Sequence, residues 1–240
     1  MNSNNFPFKL SVLQSYYEKA MENGYEIIRC EDYLTYKKEN ASHNVIVNRV
    51  DLDFSCKKAR ALVDIFNTLG IKGTFFVRLH AKEYNPFSFE DYRVLKYVRD
   101  SGHEIGYHSE VIDQSAIWEE PAEECLLRDI EILNRMLNIE IKGVASHGGM
   151  TGLNNLDFWR NKKSVDFGLS YEAYDTQPAF NLFHESFYVS DSEWTRWKCY
   201  DKAILVKGDR RSLGEHVENG HKVIYALIHS DTYYGEHFYE

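Results

Sequence analysis

The strongest constraint on the fold is a repeated rhythm in which short, β-branched apolar runs alternate with helical stripes from residue 44 onward. Residues 44–53 read Asn-Val-Ile-Val-Asn-Arg-Val-Asp-Leu-Asp, a buried strand by its four β-branched residues, ending in two aspartates. Ala59, Leu62, Val63, Phe66 and Leu69 then form a helical stripe closed by Gly70, and residues 72–79 predict a second central strand. Ser88 caps a helix carrying Phe89, Tyr92, Leu95 and Val98, which stops at Ser101-Gly102 before a short strand at 104–108. Pro121 starts a longer helix through Leu126, Ile130, Leu133 and Leu137, ahead of a strand at 141–146. Such alternation implies parallel strands joined by helical crossovers.

Ahead of this unit, Leu10, Leu13, Tyr17, Ala20 and Met21 sit at helical spacing and residues 25–30 read as a strand, so residues 1–43 form a helix-strand extension. Between residues 148 and 200 the rhythm weakens. It returns with a strand at 203–206, a helical stretch at 210–219 and a last strand at 223–228 that delivers His229. With 240 residues, 43% of them hydrophobic, the chain fits one large α/β domain over 1–240.

Composition excludes several classes of function. No apolar run approaches the length of a membrane span, and the N-terminal residues lack the basic and apolar regions of a secretory signal, so a cytoplasmic protein is expected. Cys30, Cys56, Cys125 and Cys199 contain no Cys-x-x-Cys pair, which argues against a zinc knuckle or a disulfide framework and for buried thiols. A net charge of −9 without a basic stripe disfavours nucleic acid as a partner. No Gly-x-Ser-x-Gly elbow occurs, and no cysteine has a recognisable catalytic context.

The chemistry-bearing residues fall at strand ends. Side chains alternate along a strand, so Asp51 and Asp53 share a face, and two carboxylates held close need a proton, a cation or water between them. The bland alternative is a solvated loop entrance. His108, His147 and His229 also end predicted strands, at the rim where reactive groups converge in barrel-like α/β folds. His43, His80, His103, His184, His216, His221 and His237 read as structural histidines. A set of oxygens and imidazoles suits zinc, with cobalt, nickel or iron possible by the same chemistry. Aromatic residues crowd residues 148–200, and two readings stay open: core, or the wall of a pocket to which Trp159, Tyr174, Trp194 or Trp197 offers a ring.

Arg-Val-Asp-Leu-Asp at 49–53, Ile-Lys-Gly-Thr-Phe-Phe-Val at 71–77, Ser-Gly-His-Glu-Ile-Gly-Tyr-His at 101–108 and the strand ending in His229 together resemble the polysaccharide deacetylase family, over residues 44 to 229. The resemblance implies a distorted (β/α) barrel of about seven parallel strands and a metal-dependent hydrolase acting on N-acetylated sugars. In those terms Asp51 looks like the general base, Asp53 and His108 like metal ligands, and His229 like the general acid.

Two departures mark a divergent branch. The position of the family's second ligand histidine holds Ile112, with Glu110 and Asp113 nearby, and Ala-Ser-His-Gly-Gly at 145–149 replaces the usual Arg and Pro-Tyr segment. His147 is the expected replacement ligand, with Glu110, Asp113 or water as alternatives. The branch is similar in its His-Gly motif followed by Asn155, Trp159 and residues 167–174. Glu172 or Asp231 is expected to orient the histidines, as carboxylates behind metal ligands do, and Glu172 also counts among the substrate-side residues. The expectation is removal of an acetyl group from an amino sugar, small or oligomeric. Its rival is a catalytically silent barrel that binds a carbohydrate or a protein; oligomeric state is open.

Overall fold

A computed structural model describes residues 8–39 and 41–236; His237 lies outside them. The chain runs α1 (Leu10–Glu22), β1 (Glu26–Ile28), α2 (Cys30–Lys38), β2 (Val45–Leu52), α3 (Ala59–Leu69), β3 (Thr74–Val77), α4 (Phe89–Asp100), β4 (Glu104–Ser109), α5 (Val111–Trp118) and α6 (Ala122–Leu137). It continues with β5 (Gly143–Ser146), β6 (Tyr171–Glu172), α7 (Leu182–Glu185), β7 (Phe187–Ser190), β8 (Lys198–Asp201), β9 (Ile204–Leu205), α8 (Leu213–Glu218) and β10 (Val223–His229).

Hydrogen bonding joins the strands in the order β6-β5-β4-β3-β2-β10-β7-β8-β9. From β6 to β7 every neighbour is parallel, a run of seven strands in line with the barrel of about seven that the family resemblance implies, and β1 adds an eighth parallel strand beside β2. β8 and β9 then fold back antiparallel. Hydrogen bonds do not join β6 to β7. Aromatic contacts cross that side instead: Tyr171 of β6 stacks on Phe180 at 4.3 Å, and Phe183 meets Tyr188 of β7 edge-on at 5.1 Å.

β2 shows how sequence becomes position. Ile46, Val50 and Leu52 belong to the outer core, packed with the helices, while Val45 and Val47 belong to the inner cluster with Phe76, Tyr171, Phe180, Tyr188 and Tyr225. The two-residue period therefore puts Arg49, Asp51 and Asp53 on the inner face. The aromatic-rich stretch divides between the two clusters: Tyr171, Phe180 and Tyr188 lie in the inner one, Phe158, Phe187 and Trp197 in the outer. Gly143 shows how tight the interior is: a Cβ there would lie 1.9 Å from Tyr171 Cζ.

Several elements depart from the sequence expectation. The N-terminal segment does not stop at a strand: β1 pairs with β2 through Glu26↔Val45, and α2 follows, its Cys30 and Glu31 amides donating to Thr74 and Glu104. α5 occupies a stretch without predicted structure. The strand expected at 203–206 is the short return strand β9, and the helix expected from 210 begins at Leu213, after Ser212 accepts from the Glu215 amide.

Candidate metal centre

Parallel pairing sets the strand ends level. His229 is the register partner of Asp51, and Ser109 pairs with Ser146, so His108 on β4 and His147 just past β5 come to the same rim. Ligand atoms of Asp53, His108 and His147 lie within 4.8 Å of one another. His108 Nε2 is 3.2 Å from both Asp51 Oδ2 and Asp53 Oδ1, and His147 Nε2 is 3.9 Å from Asp53 Oδ2.

The donor set fits a divalent cation. His108 Nδ1 lies 2.8 Å from the Ala145 carbonyl, an acceptor only, so Nδ1 carries the hydrogen and the Nε2 lone pair faces two carboxylates. Lone pairs cannot face one another unless a proton or a cation lies between. Without a cation the proton is held: burial pushes the His108 pKa down, but Asp51 and Asp53 outweigh it and hold it up at about 10. Asp53 Oδ1 is buried with no well-formed hydrogen bond, His108 Nε2 at 3.2 Å being the polar atom it faces, and so has a lone pair an ion could use. Burial opposes ionisation of Asp53, but His108 and His229 overcome it and lower its pKa.

Neighbouring groups hold these side chains. His147 Nδ1 is 3.3 Å from Glu110 Oε1, to which Arg78 donates at 2.7 Å. Burial raises the Glu110 pKa, but His147 and Arg78 bring it down to about 2. Asp113 is not a ligand. It accepts from the Met150 and Thr151 amides, at 3.0 and 2.9 Å, and from Asn155 Nδ2 at 2.7 Å, and Asn155 in turn donates to the His147 carbonyl at 3.2 Å. Asp113 thus anchors the loop that presents His147. Ile112 packs against the outer core, an apolar contact where the family resemblance implied a ligand.

His229 ends β10 with Nε2 3.7 Å from Asp53 Oδ2, and Asp191 grips it from behind at 2.5 Å on Nδ1 and 3.0 Å on the backbone N–H. Burial would lower the His229 pKa; Asp191, and more weakly Asp53 and Asp51, raise it to about 9. Asp191 escaped the sequence reading, although it follows the apolar run at 187–190 as directly as the other site residues follow theirs. It takes the orienting role expected of Glu172 or Asp231. Glu172 instead accepts from the Ser146 and Tyr174 amides, and burial lifts its pKa to about 7 against those two bonds; Asp231 accepts from the Phe54 amide.

Arg49 also escaped. Its guanidinium binds both oxygens of Asp51, at 2.8 and 2.7 Å, below the rings of Phe76 and Tyr174. Burial raises the Asp51 pKa, but Arg49 and then His108 take it well below the usual carboxylate range.

A cavity of about 370 Å³ opens over these groups, walled by Tyr174, Phe183, Trp194, Lys198 and Tyr200. Trp194 lies where a pocket wall was expected, its ring 5.0 Å from that of His229. Tyr174 and Phe183 also line a neighbouring hollow of about 570 Å³, where Trp159 and Glu172 lie. Trp197 corrects the expectation: it is buried against Phe8 and Tyr16 and lines neither cavity.

No family model and no curated protein matches the sequence. Among solved structures, similar ones are deacetylases. A mutant of BA3943, a CE4 family pseudoenzyme with restored activity, is 14% identical with a TM-score of 0.46, the match covering 78% of this chain and 58% of that one. The Streptococcus pyogenes deacetylase PplD in complex with acetate is 14% identical with a TM-score of 0.42, covering 57% and 61%. The catalytic domain of a peptidoglycan N-acetylglucosamine deacetylase from Eubacterium rectale is 16% identical with a TM-score of 0.46, covering 78% and 77%. The chain spans about three fifths of the length of the first two. No helix among the described residues is long and apolar enough to cross a membrane.

Proposed function

We propose that the protein is a metal-dependent hydrolase that removes an N-acetyl or related N-acyl group from an amino sugar or oligosaccharide. The observation that carries this reading is His108 Nε2, turned by the Ala145 carbonyl toward two carboxylates, a position that a proton fills in the metal-free protein and a cation can take over. Asp53, His108 and His147 would hold the ion, with zinc the best match to the donors and cobalt, nickel or iron alternatives. A cation with an open position supplies an acidified water and polarises the acyl oxygen.

The chain's own residues do the rest. Asp51 Oδ2, facing the ligand set with its remaining lone pair, accepts the proton of the attacking water. Arg49 keeps that carboxylate ionised and fixes its plane. His229, protonated at neutral pH, donates from Nε2 to the departing amine, while Asp191 accepts from Nδ1, orients the ring and keeps that hydrogen in place after the transfer. Trp194 and Tyr174 present ring faces on which the apolar C–H surface of a sugar packs.

The second reading is a silent carbohydrate-binding barrel. One observation favours it: an aspartate gripped on both oxygens by arginine is a weak base. Metal analysis and acetate release from N-acetylated amino sugars by the loaded protein decide between them. Hydrolysis that falls ~10²–10⁴-fold in Asp51→Asn and His229→Ala, with metal content kept, supports the enzyme. Full metal occupancy with no turnover of any N-acyl sugar leaves the binding module.

A further inference from the structure

A second set of metal-type donors lies away from the rim, on the antiparallel side of the sheet. Cys199 on β8, Asp209 in the loop before α8 and His216 in α8 bring a thiol, a carboxylate oxygen and an imidazole nitrogen within 4.8 Å of one another. Cys199 Sγ is 3.4 Å from His216 Nε2, and the same nitrogen is 3.4 Å from Asp209 Oδ2. Tetrahedral zinc with bonds of ~2.3 Å to sulfur and ~2.1 Å to nitrogen and oxygen has edges of ~3.6 Å for S···N and ~3.4 Å for N···O. The S···N and N···O pairs stand within a few tenths of an ångström of those edges, and the S···O pair lies within 4.8 Å.

The surroundings suit a ligand histidine. His216 is fully buried, with Nε2 between Cys199 and Asp209. Its other nitrogen, Nδ1, is 3.4 Å from His221 Nε2, and the His221 ring lies flat on Phe187 at 4.0 Å and 13°. The Asn219 side-chain amide lies at the same 3.4 Å from Nδ1, so this end of the ring meets two polar groups while Nε2 faces Sγ and Oδ2; as a metal ligand through Nε2, His216 would carry its hydrogen on Nδ1 and donate it to His221. Asp209 is held in place by Arg211 through both oxygens, at 3.0 and 2.7 Å, with Oδ2 keeping a lone pair for the cluster. An open surface hollow lined by residues 206–211 and Glu215 adjoins Asp209 and is a path for an ion and for water.

We propose that Cys199, Asp209 and His216 form a second cation site, for one borderline divalent ion such as Zn²⁺ or Co²⁺, with water from the hollow as fourth ligand. On binding, the Cys199 S–H bond breaks, the proton passes to solvent and an S–metal bond forms; no electron is transferred. The ion ties β8, the 202–212 loop and α8 together. It stands apart from the rim centre, so neither reading depends on the other.

Cobalt distinguishes the two sites, because only this one contains sulfur. Metal-free full-length protein titrated with Co²⁺ should take two ions per chain and develop a near-ultraviolet sulfur-to-cobalt charge-transfer band. Cys199→Ser should abolish the band and keep one ion; Asp53→Ala should keep the band. Asp209→Asn should weaken the band-forming ion at least ~10-fold, and this loop variant gives the same readout should Cys199→Ser fold poorly. A folded wild-type chain that binds cobalt without any such band, or a band that survives Cys199→Ser, overturns the proposal, and the cluster is then a closed hydrogen-bonded network in which Cys199 donates to the Arg211 carbonyl. A single ion accompanied by the band retires the rim centre and leaves this site standing.

Discussion

Replacing Asp191 by asparagine tests the acid half of the proposed chemistry on one atom. Asp191 is fully buried and accepts from both the backbone N–H and Nδ1 of His229. With it in place the His229 pKa stands at about 9 against an ordinary 6.5, and Asp191 is the largest of the raising influences. That difference corresponds to about 3 kcal/mol favouring the imidazolium in the folded state. The pKa is raised, so this stabilisation is complete below pH 6.5, declines as pH rises and is lost above about 9. An asparagine of the same shape removes the charge and offers an N–H where an acceptor stood. Burial, which disfavours the charged ring, is then opposed only by the weaker pull of Asp53 and Asp51, and the His229 pKa should fall well below 9. Nuclear magnetic resonance of the His229 ring in metal-free protein measures this directly. In the loaded protein, loss of the proton donor near neutrality should cost ~10²–10⁴-fold in turnover and move the high-pH limb to lower pH. A His229 that still titrates near 9 in Asp191→Asn would refute the assignment of Asp191 as the group that holds its proton.

Arg49→Met leaves Asp51 buried without its partner, a loss of about 3–5 kcal/mol; thermal unfolding of the metal-free protein should drop by about 6–20 °C, and an unchanged midpoint would mean that the pair stabilises nothing. Asp113→Ala removes the acceptor that ties the 150–155 loop to α5, so cation affinity at the rim should fall ~10–100-fold through His147 while the fold persists; equilibrium metal titration checks it, and unaltered affinity would show that His147 needs no such anchor. Gly143→Ala forces the Tyr171 ring aside and breaks its 2.6 Å bond to Glu104, costing about 1–3 kcal/mol; denaturant unfolding reads the loss, and a neutral result would mean that the interior yields more readily than its packing implies.

The sequence by itself determined the parallel strand-helix framework and the positions of Asp51, Asp53, His108 and His229, because strand periodicity and strand-end placement are local properties written in consecutive residues. The same locality explains what it left undetermined. Arg49 and Asp51 were both legible as residues of one strand, but their pairing follows from a low-dielectric interior that only the assembled sheet creates. Asp191 reaches His229 across 38 positions, on strands whose adjacency reflects β10 inserting between β2 and β7. Trp197 and Trp194, three residues apart and alike in composition, are separated into core and cavity wall by the turn at Trp194, whose φ is +61°. Glu110 and Asp113 looked alike as spare carboxylates near a missing histidine. Tertiary packing alone set one against His147 and turned the other toward the loop, because a carboxylate's role is decided by the donors that surround it and not by its place in the chain.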